Sequence, residues 1–268
     1  MAKLALVSYM NTRPYLDGLQ RFFSPEEVEL VLLAPAKCAE ALWERKVDMA
    51  LMPVGGLADF DAQSVGILPD YCIGANGKVE SVFLFSQKPV DQLDAVILDS
   101  HSRTSNALTQ VLMRYHWKHK VEWEQATEEH FDQIQGTIGG VVIGDRAVKI
   151  RDRYEYVYDL SEEWKDMTGL PFAFAVWVYY PECVPRELCQ RIQQALGWGI
   201  AQAEQSAVKW ASHYGMTVEF ATKYLQKDIQ FEFCEGKHEA VHLFFHTLSQ
   251  MEIVGKRDTT HPSFTRRL

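Results

Sequence analysis

Cysteine is scarce. There are five in 268 residues, Cys38, Cys72, Cys183, Cys189 and Cys234, and no two stand in CxxC spacing. An odd, scattered set argues against a disulfide framework or a thiolate zinc site and fits a reducing compartment. Positive charge is also short, with 27 Lys and Arg against 36 Asp and Glu and a formal net charge of −9. Such a field repels nucleic acid and anionic membranes, so neither is expected as a partner. No long apolar run exists. The longest, Phe172–Tyr180, is far short of the roughly 20 residues that span a bilayer. At the amino terminus one lysine precedes a short apolar stretch that Asn11, Thr12 and Arg13 break off. That is too short for a secretory signal, and a cytoplasmic protein is expected. The chain has no Walker loop and no GxGxxG, so a nucleotide site gains no support.

What is present is the raw material of a core. Hydrophobic residues make up 47% and charged residues 24%, an ordinary balance for a globular chain. Short apolar runs alternate with helical patterns. Strands are expected at Lys3–Ser8, Val28–Ala34 and Asp48–Pro53, with helices at about Arg13–Phe23 and from Pro35, where proline suits a first turn. This βαβαβ order implies parallel pairing. The stretch Gly66–Gly77 is rich in turn residues. Strands follow at Val79–Gln87, Ala95–Asp99, Val121–Glu124 and Gly140–Gly144, with helices at Arg103–Trp117 and near Glu128–Gln135. Phe172–Tyr180 reads as a long strand. Everything after Pro185 looks helical, with Gly197 and Gly199 as close helix contacts, up to a tail at 256–268.

The expected fold class is α/β, two lobes joined by two chain crossings. The first lobe would take residues 1–86 plus 176–268 and the second 87–175, with Val79–Gln87 and Phe172–Tyr180 as the crossings. A cleft between such lobes gathers strand ends and helix amino termini around a ligand, and closure excludes water.

Two clusters border that expected cleft. Ser8-Tyr9-Met10-Asn11-Thr12-Arg13-Pro14 follows the first strand, at the carboxyl end where open α/β sheets bind ligands. Asn11 can donate and accept, and Arg13 offers a fork for a carboxylate; an ordinary turn with Asn11 or Thr12 as helix cap is the plainer alternative. Asp99-Ser100-His101-Ser102-Arg103-Thr104-Ser105-Asn106 opens a helix. Hydroxyls, a guanidinium and backbone N–H groups at one helix amino terminus make an anion site. Serine capping explains one hydroxyl but not the cluster.

A third pattern, His238-Glu239-Ala240-Val241-His242, matches HExxH. A third ligand is needed. The extended form would require glycine and histidine where Phe245 and Leu248 stand, and the one glutamate left downstream is Glu252. The polar stripe continued by His246 is the solvated face of a helix. No metal site is expected.

In order along residues 3–250, the stretches SYMNTRP (8–14), VDMALMPV (47–54), CIGANGKVESVFLFS (72–86), LDSHSRTSNAL (98–108), VVIGDRA (141–147) and TGLPFAFAVW (168–177) resemble the chorismate dehydratases of the futalosine route to menaquinone. The resemblance implies a periplasmic-binding-protein type II fold and a small-molecule substrate, chorismate. The product would be 3-[(1-carboxyvinyl)oxy]benzoate, formed by loss of water in a lyase reaction needing no cofactor. Substrate contacts are then expected from Ser8, Thr12 and Arg13, from Ser81, and from Ser102, Arg103, Thr104 and Ser105, although Arg103 could equally brace its loop. Asn11 and Asp145 are the catalytic candidates. Asp145 would act as base if burial raised its pKa; the substrate's own enolpyruvyl carboxylate is the other candidate base. Two alternatives stand beside this reading. One is a 1,4-dihydroxy-6-naphthoate synthase of the sister family, whose histidine base has no counterpart at Ile143-Gly144-Asp145. The other is a non-catalytic carboxylate-binding protein. The sequence carries no reading of oligomeric state.

Overall fold

The computed structural model of the chain describes residues 1–126 and 130–251. The chain opens with β1 (Ala2–Val7), α1 (Arg13–Phe22), β2 (Val28–Leu33), α2 (Pro35–Trp43) and β3 (Met49–Pro53). As the alternation of runs implied, β1 pairs in parallel with both β2 and β3. Then come β4 (Gly66–Ala75), β5 (Val82–Ser86), β6 (Ala95–Leu98), α3 (Thr104–Tyr115), β7 (Glu122–Gln125), β8 (Ile138–Ile143), α4 (Asp145–Ile150), β9 (Tyr156–Asp159), α5 (Leu160–Thr168) and β10 (Phe172–Tyr179). The chain continues through α6 (Arg186–Ala201), α7 (Ala203–Tyr214), α8 (Val218–Lys223), a π-helical turn at Tyr224–Asp228, β11 (Gln230–Glu232) and α9 (Glu235–Gln250).

The strands form two mixed sheets. The first has the order β11-β4-β10-β3-β1-β2 and the second β7-β6-β8-β5-β9. β10 runs antiparallel between β3 and β4, while β5 runs antiparallel between β8 and β9. The architecture is therefore α/β with two sheets, as expected, but the chain passes between them at other points. β5 belongs to the second sheet, so the first passage lies between Ala75 and Val82, earlier than residue 86. β10 belongs wholly to the first sheet, so the return precedes Phe172 rather than falling at 175. Apolar runs mark both strands equally well; only their partners reveal which sheet owns them.

Three local expectations are corrected. Gly66–Gly77 is mostly strand, because β4 is paired on both sides, by β10 and β11, and ladder bonds override the turn-like composition. The helix expected near Glu128–Gln135 is only a 3₁₀ turn at Phe131–Gln133, with residues 127–129 outside the described part. After Pro185 the chain is not all helical, since β11 closes the first sheet's edge. The tail at 256–268 lies outside the described residues.

The core fills the space around both sheets. Tyr15 and Trp177 are fully buried, their rings 5.6 Å apart edge-to-face, and the Tyr15 hydroxyl donates to the Cys72 carbonyl at 2.7 Å. Helices α1 and α6 approach closely at Gly18 and Gly199. A Cβ on Gly199 would come within 1.9 Å of the Pro14 carbonyl oxygen, so only glycine fits. This contact seats α1, and with it the loop after β1. No described helix is long and apolar enough to cross a membrane.

Candidate active site

Between the two sheets lies a narrow cleft with a cavity volume of about 60 Å³. The first sheet contributes Val7, Tyr9 and Asn11 beyond β1, Pro53 at the end of β3, Ile73 of β4, and Phe174 and Ala175 of β10. The second contributes Ser81 and Val82 at the start of β5, Ile143 and Gly144 at the end of β8, and Ser102, Thr104 and Ser105 at the start of α3. Five of the ten expected site residues thus meet in one place: Asn11, Ser81, Ser102, Thr104 and Ser105. Among the described residues lining the cleft, none is Lys or Arg.

The other residues of the SYMNTRP stretch build the loop rather than the wall. The Thr12 hydroxyl donates to the carbonyls of Val7 at 2.5 Å and Tyr9 at 3.0 Å. Ser8 is held by its backbone, its N–H donating to Leu33 O and its carbonyl accepting from the Tyr214 hydroxyl at 3.0 Å. Arg13 is buried, its guanidinium 5.2 Å from the ring centroids of both Trp210 and Tyr214. Burial pushes the Tyr214 phenol up to about 12, against the opposing pull of Arg13. The product of this scaffolding is Asn11, whose Oδ1 is enclosed yet has no hydrogen-bond partner among the described residues. An orphaned acceptor in a cleft wall is a place for a ligand's donor.

Asp145 grips the same loop from the second sheet. Gly144 ends β8 with φ +68°, and a Cβ there would strike the Tyr9 ring at 2.5 Å. Next to it, both Asp145 carboxylate oxygens accept from the Met10 N–H, at 3.1 and 3.2 Å. Burial pushes this carboxyl up to about 6, although the Met10 bond, Arg13 and Lys149 all favour its charged form. Asp145 is not among the residues lining the cleft.

At α3, the Ser102 Oγ accepts from the Ser105 N–H at 3.0 Å, an ordinary capping bond. The Thr104 hydroxyl donates to Phe174 O at 3.2 Å and accepts from Gly55 N at 3.0 Å, tying the helix start to the first sheet. Arg103 points to Asp59, which follows β3, and forms an ion pair with it; the guanidinium braces the loop. Asn106 stitches the approach, donating to Asp99 O and Ser102 O. Ser105 is different. Its hydroxyl makes no hydrogen bond among the described residues and lies in the cleft wall.

Three residues escaped the sequence reading. Tyr9 lines the cleft, its hydroxyl 3.2 Å from His101 Nδ1, and burial lifts its phenol above the ordinary range. It stands inside SYMNTRP, so its position was a usable signal. Arg146, next to Asp145, donates to both oxygens of buried Asp99 at 2.8 and 2.6 Å. Tyr224, in the π-helical turn, is buried outside the cleft lining and donates to Ser81 Oγ at 2.8 Å; nothing in its local sequence announces this. Within HExxH, the His238 ring packs on Phe233 at 3.9 Å. No group of three or more His, Cys, Asp or Glu placed to hold a metal occurs among the described residues.

Residues 2–250 match the family model described as menaquinone biosynthesis. The chain belongs to this family. Among its curated relatives, a chorismate dehydratase of Thermus thermophilus is 28% identical over 247 residues, 83% of this chain and 86% of that protein. A chorismate dehydratase of Campylobacter jejuni is 28% identical over 175 residues, 63% of each. Among solved structures, a protein from Archaeoglobus fulgidus superposes with TM-score 0.77 at 13% identity, over 94% of this chain and 98% of that one. The alkanesulfonate-binding protein SsuA of Xanthomonas axonopodis pv. citri gives 0.66 at 11%, over 96% and 94%. A Candida albicans protein described as having the generic periplasmic binding protein structural fold also gives 0.66 at 11%, over 95% and 90%. The menaquinone biosynthesis family chain thus has a periplasmic-binding-protein-like fold.

Proposed function

We propose that the chain is a chorismate dehydratase, a carbon–oxygen lyase that converts chorismate to 3-[(1-carboxyvinyl)oxy]benzoate and water in the cytoplasm, without a cofactor. The observation that carries the reading is the convergence of Asn11, Ser81 and Ser105 on one cleft, in a family whose similar curated members bear that activity.

The chemistry asks little of the protein beyond positioning and charge stabilisation. The ring carboxylate, through the C1–C2 double bond, acidifies the proton on C3. Its removal gives an extended enolate. Breaking the C4–oxygen bond then yields an aromatic ring, and the proton lost from C3 leaves with the C4 hydroxyl as water. With no cation in the described lining, a substrate carboxylate rests on the Ser105 hydroxyl and the N–H groups at the start of α3, favoured by the helix dipole. Asn11 Oδ1 accepts the hydrogen of the C4 hydroxyl and orients it for departure, while Ser81 donates to that oxygen as charge develops on it.

Asp145 acts through the loop. Its oxygens are engaged with Met10 and it stands outside the cleft lining, so it holds Asn11 in place. The enolpyruvyl carboxylate of the substrate, tethered to C3 through one oxygen, takes the proton. Purified protein incubated with chorismate, with mass spectrometry of the product, tests the proposal. A product lighter by one water supports it; unchanged chorismate after long incubation with folded protein sinks it.

A further inference from the structure

We propose that Tyr224 sets the direction of the hydrogen bond that Ser81 offers to the cleft, making Tyr224 a positioning residue for the dehydration. The inference rests on the dehydratase reading and assigns a role to a side chain far from every motif that supports that reading.

Ser81 is fixed by its backbone. Its carbonyl accepts from Gly144 N at 2.7 Å, which ties the start of β5 to the end of β8. What remains free is rotation of its hydroxyl. A serine hydroxyl has one proton and two lone pairs, so in an apolar wall it could face a ligand as donor or as acceptor. The Tyr224 phenol removes that freedom. It is completely enclosed, and its hydroxyl lies 2.8 Å from Ser81 Oγ. A phenol is the more acidic partner and gives its proton to the alcohol oxygen. Burial also drives the phenol far above its ordinary range, so it keeps its proton at any working pH. Ser81 Oγ is then occupied as acceptor. Its own proton has one protein acceptor on the described side chains and backbone, Val79 O, at a long 3.4 Å, and turns to the cleft when a ligand oxygen is there. Asn11 borders the same phenol and, with Ser81, favours its charged form against the effect of burial. Tyr224 therefore holds Ser81, the group that donates to the departing hydroxyl.

The placement of Tyr224 fits the task. It opens a five-residue π-helical turn, Tyr224–Asp228, with its ring stacked on Phe220 at 5.9 Å. Such turns re-aim a side chain that a regular helix would carry elsewhere. The phenol comes from the carboxyl-terminal part of the chain and the serine from just before β5, so their bond also ties the π-helical turn to the entry of the second sheet.

The test is steady-state kinetics on chorismate with wild-type protein, Tyr224→Phe, Ser81→Ala and the double variant, each checked by circular dichroism and melting. Phenylalanine keeps the ring and removes only the hydroxyl. We expect Tyr224→Phe to lower kcat about three- to tenfold with KM changed by less than about threefold, the size of one lost hydrogen bond. Ser81→Ala should lower kcat further, and the double variant should be no slower than Ser81→Ala alone, because the phenol acts through the serine. An additive double variant, a Tyr224→Phe effect confined to KM, or an unaltered kcat overturns the assignment. Ser81→Ala with undiminished kcat overturns it even if the phenylalanine variant folds poorly. Absence of wild-type turnover overturns the dehydratase reading and this inference together, whereas wild-type turnover with either failure above overturns this inference alone.

Discussion

The Asp145 carboxylate holds the Met10 N–H with both oxygens, at 3.1 and 3.2 Å, across the boundary between the two sheets. The residue after Met10 is Asn11, so the carboxylate fixes the loop that aims the orphaned amide oxygen. An asparagine at 145 keeps the shape and one acceptor for Met10. Asp145→Asn is therefore expected to lower kcat by less than about tenfold and to leave the form of the pH–rate profile intact. A loss of about a thousandfold, with an acid limb near the carboxyl's value of about 6 that vanishes in the variant, would make Asp145 the base instead.

Asn11 should behave as a group that meets charge developing during the reaction. Removing one donor to such charge in other enzymes costs about 10²–10³ in kcat, a role open to the Asn11 amide N–H beside its accepting Oδ1. Asn11→Ala is expected to lose kcat by that order while binding chorismate with little change, measured by steady-state kinetics and by direct titration. Retained kcat with lost affinity would reduce Asn11 to a clamp.

The hydroxyls at α3 divide by their partners. Ser105 has none among the described residues and faces the cleft, so Ser105→Ala should remove a bond made in ground and transition states alike. KM is expected to rise about tenfold to a hundredfold with kcat spared, as for a lost bond to a charged group. Thr104 already serves Phe174 and Gly55. Thr104→Ala should show its effect first as a lower melting temperature, from a buried carbonyl and N–H left unpaired. A Thr104→Ala variant that melts like wild type but loses affinity would place its hydroxyl on the substrate.

The sequence made the strand–helix alternation readable because each run is apolar along its length, and it made Asn11 and the α3 terminus readable because both follow strands directly. It hid which sheet owns β5 and β10, since two buried strands of different sheets look alike until paired. It hid the division of labour within each motif as well. Ser102, Thr104 and Ser105 are adjacent and chemically alike, yet one caps, one ties the helix start to the first sheet, and one is free. Arg13 and Arg103 both suggest carboxylate forks, but one is enclosed by Trp210 and Tyr214 and the other is spent on Asp59. Tyr224 depends on a contact across 143 positions, for which no local pattern exists.

The HExxH stretch is expected to be inert. His238, on α9, packs against Phe233, and its neighbours on the helix offer no third ligand among the described residues. His238→Ala and His242→Ala should leave turnover within about twofold of wild type, and elemental analysis should find no stoichiometric zinc. One tightly bound zinc per chain, lost in these variants, would contradict this.

The stability of the protein should depend on pH through Asp159, which joins the passage into the second sheet to the start of α5. Its carboxylate accepts four N–H bonds, from Val79 at 2.9 Å, Glu80 at 2.8 Å, Ser161 at 3.0 Å and Glu162 at 3.3 Å. Burial nevertheless dominates and raises the group from 3.8 to about 7. The folded chain then binds more protons than the unfolded chain between those values. By linkage, this group's contribution is fully present below the unfolded value of 3.8 and is lost as pH rises through about 7. Asp145 adds a loss of the same sign that ends near 6. Asparagine at 159 cannot titrate and turns a donor toward the N–H groups, so Asp159→Asn should be less stable overall, by about 1–3 kcal/mol for each donor left unpaired. More tellingly, its urea midpoint should fall less steeply than that of wild type as pH rises from about 4 to about 7. Exposed carboxylates titrate alike in both proteins and cancel in the comparison. Parallel curves across that window would show that the Asp159 pKa is not raised in the folded chain, and that its four N–H bonds outweigh its burial.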